Sequence, residues 1–185
     1  MPGTKSPRGA THRVRVFVGI GSNVDAERHV CAALHRLGRR FGCLVRSRVY
    51  RNAAVGFEGD PFLNLVAGFE TDEPVEMVVA ALHHIEQLAR RRRNAKRNEP
   101  RTLDLDLLLY GGGIIDVGGV RVPRAEILTR AYVLGPLAEI AGDVVHPVTG
   151  MRIAALWEAF DRGRHALEEV ALECDETASG AATGV

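Results

Sequence analysis

Cysteine, aromatic residues and long apolar runs are all scarce in this 185-residue chain. Its three cysteines, Cys31, Cys43 and Cys174, lie far apart with no CxxC spacing. An odd, scattered set argues against a disulfide framework and against a zinc finger, and suits a reducing cytoplasm. No stretch reaches the roughly 18 apolar residues that a membrane span needs. Met1 to His12 contains no apolar run, so a secretory signal is not expected. Aromatics make up only 5%, with no stacking pair on a central strand, which weighs against RNA binding. A net charge of +1 excludes a globally basic nucleic-acid binder. No GxxxxGK[ST] segment occurs, so a P-loop is excluded, and Gly19-Ile20-Gly21 lacks the GxGxxG spacing of a dinucleotide fold. The seven histidines are scattered, and His83 and His84 point to different helix faces rather than forming a metal pair.

What is present suits one domain. Hydrophobic residues make up 46%, enough for a single core at this length. Residues 1–12 read as a flexible arm, 13–172 as the domain and 173–185 as a disordered tail. Val14, Val16 and Val18 alternate along a strand that runs into Gly19-Ile20-Gly21. Ser22, Asn23 and Asp25 suit a helix cap, and Val30, Ala33, Leu34, Leu37 and Phe41 recur at helical spacing. Residues 43–50 and 62–71 read as strands around a Gly- and Pro-containing loop. Pro74 suits a helix start, and Val75, Val78, Val79, Leu82, Ile85 and Leu88 mark one helical face. Residues 103–110 form another strand. The order strand, helix, strand, strand, helix, strand is that of a ferredoxin-like βαββαβ core, an α+β fold with an antiparallel sheet. A C-terminal addition follows: a hairpin (Ile114–Asp116, Val120–Val122) and helices over 131–141 and 153–165.

The densest chemical signal is RNEPRTLDLDLLLYG, residues 97–111. Alternation places Asp104 and Asp106 on one face of a strand, with Leu103, Leu105 and Leu107 on the other. Two carboxylates roughly 7 Å apart can share hard cations with phosphate oxygens. A bare pair of this kind is otherwise a pair of solvated acids. Here it follows a basic run, Arg90, Arg91, Arg92, Arg93, Lys96, Arg97 and Arg101, opposed only by Glu99. Such a run can be a solvated helix end. Beside two aspartates it has the composition that phosphoryl transfer uses.

Pro100-Arg101-Thr102-Leu103-Asp104-Leu105-Asp106, followed by Leu107-Leu108-Leu109-Tyr110-Gly111, resembles the signature of the hydroxymethyldihydropterin pyrophosphokinase family. Gly19-Ile20-Gly21-Ser22-Asn23, Tyr50-Arg51, Phe62-Leu63-Asn64, Ile85-Glu86, Arg130-Ala131-Tyr132-Val133-Leu134 and Pro136-Leu137 agree in order. The resemblance covers roughly residues 14–160. It implies a cytoplasmic, monomeric enzyme of folate synthesis that uses ATP, two Mg²⁺ ions and 6-hydroxymethyl-7,8-dihydropterin, with neither nucleic acid nor membrane as partner. By that resemblance Asp104 and Asp106 hold the metals and act with Arg91 and Arg101 as catalytic residues. Glu86, Arg93, Arg124 and Arg130 contact ATP. Phe62 and Tyr132 stack on the pterin, Asn64 reads its edge, and Asn52 and Val55 complete the contacts. Three places depart from the family pattern. Arg124 stands where the family has a phosphate-contacting histidine. Asn98-Glu99 replaces an aromatic and a small residue, and Asn52-Ala53-Ala54 replaces a Pro-containing loop.

Overall fold

A computed structural model describes residues 13–53, 60–91, 103–161 and 167–174, with the side chains of Arg90 and Arg91 excepted. The elements in chain order are β1 (Val14–Ser22), α1 (Ala26–Phe41), β2 (Val45–Arg46), β3 (Val49–Asn52), β4 (Phe62–Thr71), α2 (Val75–Arg91) and β5 (Asp104–Tyr110). There follow β6 (Ile115–Val117), β7 (Val120–Val122), a 3-10 turn (Ala125–Leu128), α3 (Ala131–Ala141), α4 (Ile153–Glu158) and β8 (Glu168–Val170). The main sheet runs β5-β1-β4-β3-β8, with β2 also on β4, and its pairings are antiparallel. The hairpin β6–β7 stands apart as a second sheet. The fold is therefore mixed α+β with an antiparallel sheet.

Both faces of the main sheet are covered, which explains why its central strands carry apolar residues at nearly every position. On one face Val16, Val18, Ile20, Leu63, Leu65 and Leu105 join residues of α1 and α2 in a core. On the other, Phe17, Val66, Leu108 and Leu109 pack with Ile127, Leu134, Leu137 and Ile153. Phe17, which falls among the arginines in the β1 alternation, is buried because α3 covers that second face.

The expected strand over 43–50 is two pieces. Ser47 interrupts it: its N–H donates to the Val66 carbonyl at 2.9 Å, and its Oγ accepts from the Val66 N–H at 3.0 Å. A side chain thus replaces one rung of the ladder, which is how serine competes with regular structure. Asp25 occupies the cap position of α1 in a left-handed conformation, and its carboxylate pairs with Arg28 at 3.1 Å. The Pro74 carbonyl accepts from Met77 and Val78, so proline does open α2. The last expected helix is described over Ile153–Glu158, and 162–166 lie outside the described residues.

The reading of three free thiols is corrected. Cys31 of α1 and Cys174 form a disulfide across a sequence separation of 143, and Cys43 is exposed and free. Spacing could not reveal this pair, because tertiary folding alone brings the two positions together.

Candidate active site

The alternation read for β5 is observed. Leu103, Leu105 and Leu107 are buried in the α1/α2 core, and Asp104 and Asp106 face the α3 side. Their cross-strand partners on β1 are glycines: Gly21 pairs with Asp104 and Gly19 with Asp106. Paired residues share a face, so no side chain stands beside either carboxylate on β1. A methyl at Gly21 would lie 3.0 Å from Asn64 Oδ1, so the gap there is a narrow one. At its free edge β5 is held by α2: Glu86 Oε1 accepts the backbone N–H of Leu105, the residue between the aspartates, at 2.8 Å.

Arg124 completes this corner. Its backbone N–H donates to the Leu108 carbonyl at 3.0 Å, and its Nη2 donates to Asp106 Oδ1 at 2.6 Å. Its Nε is buried with no hydrogen-bond partner and lies 3.6 Å from Glu126 Oε2. The guanidinium therefore retains donor capacity for a further oxyanion. Burial, followed by repulsion from Asp104, raises the Asp106 carboxyl above the usual range, and Arg124 opposes both. A carboxylate in that position gains from an added cation. Among the described residues no group of three or more His, Cys, Asp or Glu could hold a metal. Two aspartates would supply part of a divalent shell, and phosphate and water would have to supply the rest.

The register extends the site across the sheet. Asp104, Gly21, Asn64, Tyr50 and Glu169 are successive cross-strand neighbours on β5, β1, β4, β3 and β8. Asn64 Nδ2 donates to Asn52 Oδ1 at 2.5 Å, so the two amides orient each other beside the carboxylate corner. Alternation puts Phe62, at the start of β4, on the face of Asn64, and it is half-buried. Above this face α3 packs on β4 and β3. Tyr132 lies half-buried in its first turn, and Arg130 occupies its cap position. The C-terminal half of α3 meets β3 through Glu139, which accepts from the Tyr50 hydroxyl and from the Arg48 N–H at 2.9 Å. Burial and then the Glu139 contact push the Tyr50 phenol up to about 12.

Of the residues read from sequence, Asp104, Asp106, Arg124, Glu86, Asn52, Asn64, Phe62, Arg130 and Tyr132 are described, and the hydrogen bonds above link Asp106 to Arg124 and Asn52 to Asn64. Arg93, Arg101 and Val55 lie outside the described residues, and of Arg91 only the backbone is described. Sequence reading missed Glu139, an ordinary helix glutamate by pattern, and Glu126. Nothing in their spacing distinguishes them.

Comparison with known proteins places the chain in a family. A family model described as 7,8-dihydro-6-hydroxymethylpterin-pyrophosphokinase matches residues 17–142. The chain is 36% identical over 137 residues to a 2-amino-4-hydroxy-6-hydroxymethyldihydropteridine pyrophosphokinase of Pseudomonas aeruginosa, covering 72% of this chain and 84% of that one. It is 32% identical over 146 residues to a folic acid synthesis protein of Pneumocystis carinii, covering 77% of this chain but only 20% of that much longer protein. Among solved structures, a Plasmodium falciparum HPPK-DHPS chain with pterin and p-hydroxybenzoate superposes with a TM-score of 0.63 at 14% identity. That match covers 82% of this chain and 44% of the other, and it speaks to the fold alone.

Proposed function

The chain belongs to the 7,8-dihydro-6-hydroxymethylpterin-pyrophosphokinase family, and from that premise we propose that it transfers pyrophosphate from ATP to the hydroxymethyl group of 6-hydroxymethyl-7,8-dihydropterin in folate synthesis. The observation that carries the reading is the carboxylate pair Asp104 and Asp106 on a face cleared by Gly19 and Gly21, with Arg124 beside it. Triphosphate and carboxylates repel, so the corner needs cations between them. Asp104 and Asp106 are the residues to hold two Mg²⁺ ions, which when bound would neutralise charge on the transferred phosphates.

In the reaction the pterin hydroxymethyl oxygen forms a bond to the β-phosphorus, the bond from that phosphorus to the bridging oxygen breaks, and AMP leaves. The hydroxyl proton passes to solvent or to a phosphate oxygen. The protein contributes position and charge more than covalent chemistry. The Arg124 guanidinium, beside Asp106 and Glu126, suits a phosphate oxygen as a further partner. Arg130, Arg91, Arg93 and Arg101 supply further cations to the phosphates. Asn64, oriented by Asn52, reads the paired donors and acceptors of the pterin ring, and by the family resemblance Val55 adds a further contact. Phe62 and Tyr132 offer their faces to the flat ring. Glu86 serves ATP indirectly, by fixing the strand that carries both aspartates.

The sheet order and the placement of α1 and α2 support the ferredoxin-like arrangement as one unit, and the bond from Cys174 to Cys31 carries that unit past the expected boundary at residue 172. No described helix is long and apolar enough to cross a membrane. A monomer in the cytoplasm, where ATP is available, fits this activity and needs no nucleic acid. The test is AMP formation by the purified protein given ATP, magnesium and the pterin. AMP that requires the pterin and disappears in Asp104→Ala is expected; AMP release independent of the pterin would defeat the assignment.

A further inference from the structure

Residues 167–174 follow the 17–142 stretch that matches the family model, and they cross the edge of the molecule from one face to the other. Leu167 and Trp157 lie against Gly135 of α3, so tightly that a methyl on that glycine would meet both at 3.0 Å. Strand β8 then adds to β3, with Glu168 opposite Arg51, Glu169 opposite Tyr50 and Val170 opposite Val49. One ion pair repeats the register, Arg51 with Glu168 at 3.5 Å, and a second runs diagonally, Arg48 with Glu169 at 2.7 Å. Arg48 also reaches Glu139 of α3 at 3.3 Å. Val170 and Leu172 pack on the opposite core, under α1 and α2. Cys174 then closes the path by its bond to Cys31 of α1.

We propose that this segment is a thiol-switchable brace on β3, and that it sets the order of the Asn52–Asn64 pair. A strand of three residues with two glutamates has little intrinsic preference to stay paired. The covalent bond removes the freedom that would let it peel away. Strand β3 has four residues and carries Asn52 at its end, so loss of its outer neighbour leaves β4 as its one strand partner. Disulfides in reducing compartments are characteristically redox-responsive. A dithiol reductant would break the Cys31 Sγ–Cys174 Sγ bond, yielding two thiols while closing to its own disulfide.

The effect on pterin rests on the function proposed above, so the test reads the brace and the catalysis separately. The full chain is prepared without reductant, then compared with the dithiothreitol-treated protein and with Cys31→Ser/Cys174→Ser. Denatured without reductant, the native protein should show one titratable thiol, and three after reduction. Amide hydrogen exchange over Val49–Asn52 should quicken about tenfold or more on reduction and equally in the double variant. Pterin KM should rise several-fold, with ATP KM and kcat within about twofold. Three thiols before reduction, or unchanged exchange over Val49–Asn52, would overturn the brace. A parallel loss in both KM values and kcat would overturn its site-specific action and indicate general loosening. Changed exchange without pterin-dependent AMP in either state would sustain the brace on β3 and remove the function.

Discussion

At the β5 edge of the main sheet the outer strand bears two carboxylates and is held by reversible contacts, whereas at the β8 edge the outer strand is fixed by a covalent bond. In the function proposed above the β5 edge accepts and releases a polyanion, and its cations and carboxylates would gain partners from that ligand as well as from the fold. The β8 edge carries no reacting group. Its charges are already paired with β3 and α3, and it can be locked without cost to chemistry. One sheet thus keeps its charged edge adjustable and its far edge closed, which is also one way to keep an exposed strand from recruiting another.

Four perturbations would break or sharpen this contrast. Asp104→Asn should have the largest effect, lowering pterin-dependent AMP formation by about 10³-fold, since metal-type charge stabilisation is worth several kcal/mol. Next, Cys31→Ser/Cys174→Ser should lower stability by about 2–4 kcal/mol, as expected for a bridge closing a long loop. Calorimetry would read this as a fall in Tm of roughly 5–15 °C. Third, Glu86→Ala leaves the Leu105 N–H without its acceptor and should cost about 1–3 kcal/mol, whereas Glu86→Gln keeps an acceptor and most of that stability. Equal losses in the two variants would place the importance of Glu86 in its charge.

The smallest effect belongs to an ion pair outside the sheet. Arg40 holds the Glu73 carboxyl below the usual carboxylate range through a bidentate contact at 2.5 and 2.6 Å. A depressed pKa means that the contribution is present above the ordinary carboxylate range. It is lost as pH falls through the lowered value. Arg40→Ala should therefore flatten the acid limb of the stability curve and cost under about 1 kcal/mol at neutral pH.

The carboxylate corner was legible because period-two alternation fixes the face of each residue once a strand is recognised. Asp104, Asp106 and their leucines needed no partner to be assigned. Helix α1 was equally plain from Val30, Ala33, Leu37 and Phe41. Strand β8 was not, since Glu168-Glu169-Val170 has no alternation and becomes a strand only by pairing with β3. Cys31 and Cys174 carry no mark of each other in spacing. Glu139 reads as a surface helix residue until the fold brings the Arg48 N–H to it, and Glu86, read as an ATP contact, carries no sequence mark of its bond to the Leu105 N–H.

The register shift between Phe17 and Val18 leaves Leu108 as an extra residue in β5. Before it, even-numbered residues of β5 face α3; after it, Leu109 does, and Tyr110 turns to the other core and donates its hydroxyl hydrogen to the Glu73 carbonyl at 2.6 Å. Parity on the two sides of Leu108 is therefore set independently. A one-residue deletion at this point would remove the extra residue and leave Asp104 and Asp106 on the α3 side with Leu109 and Tyr110 in their present environments. The same deletion placed between the aspartates would bury one carboxylate among leucines. Chain length along this single strand is thus tolerant at Leu108 and intolerant at Leu105, three residues away.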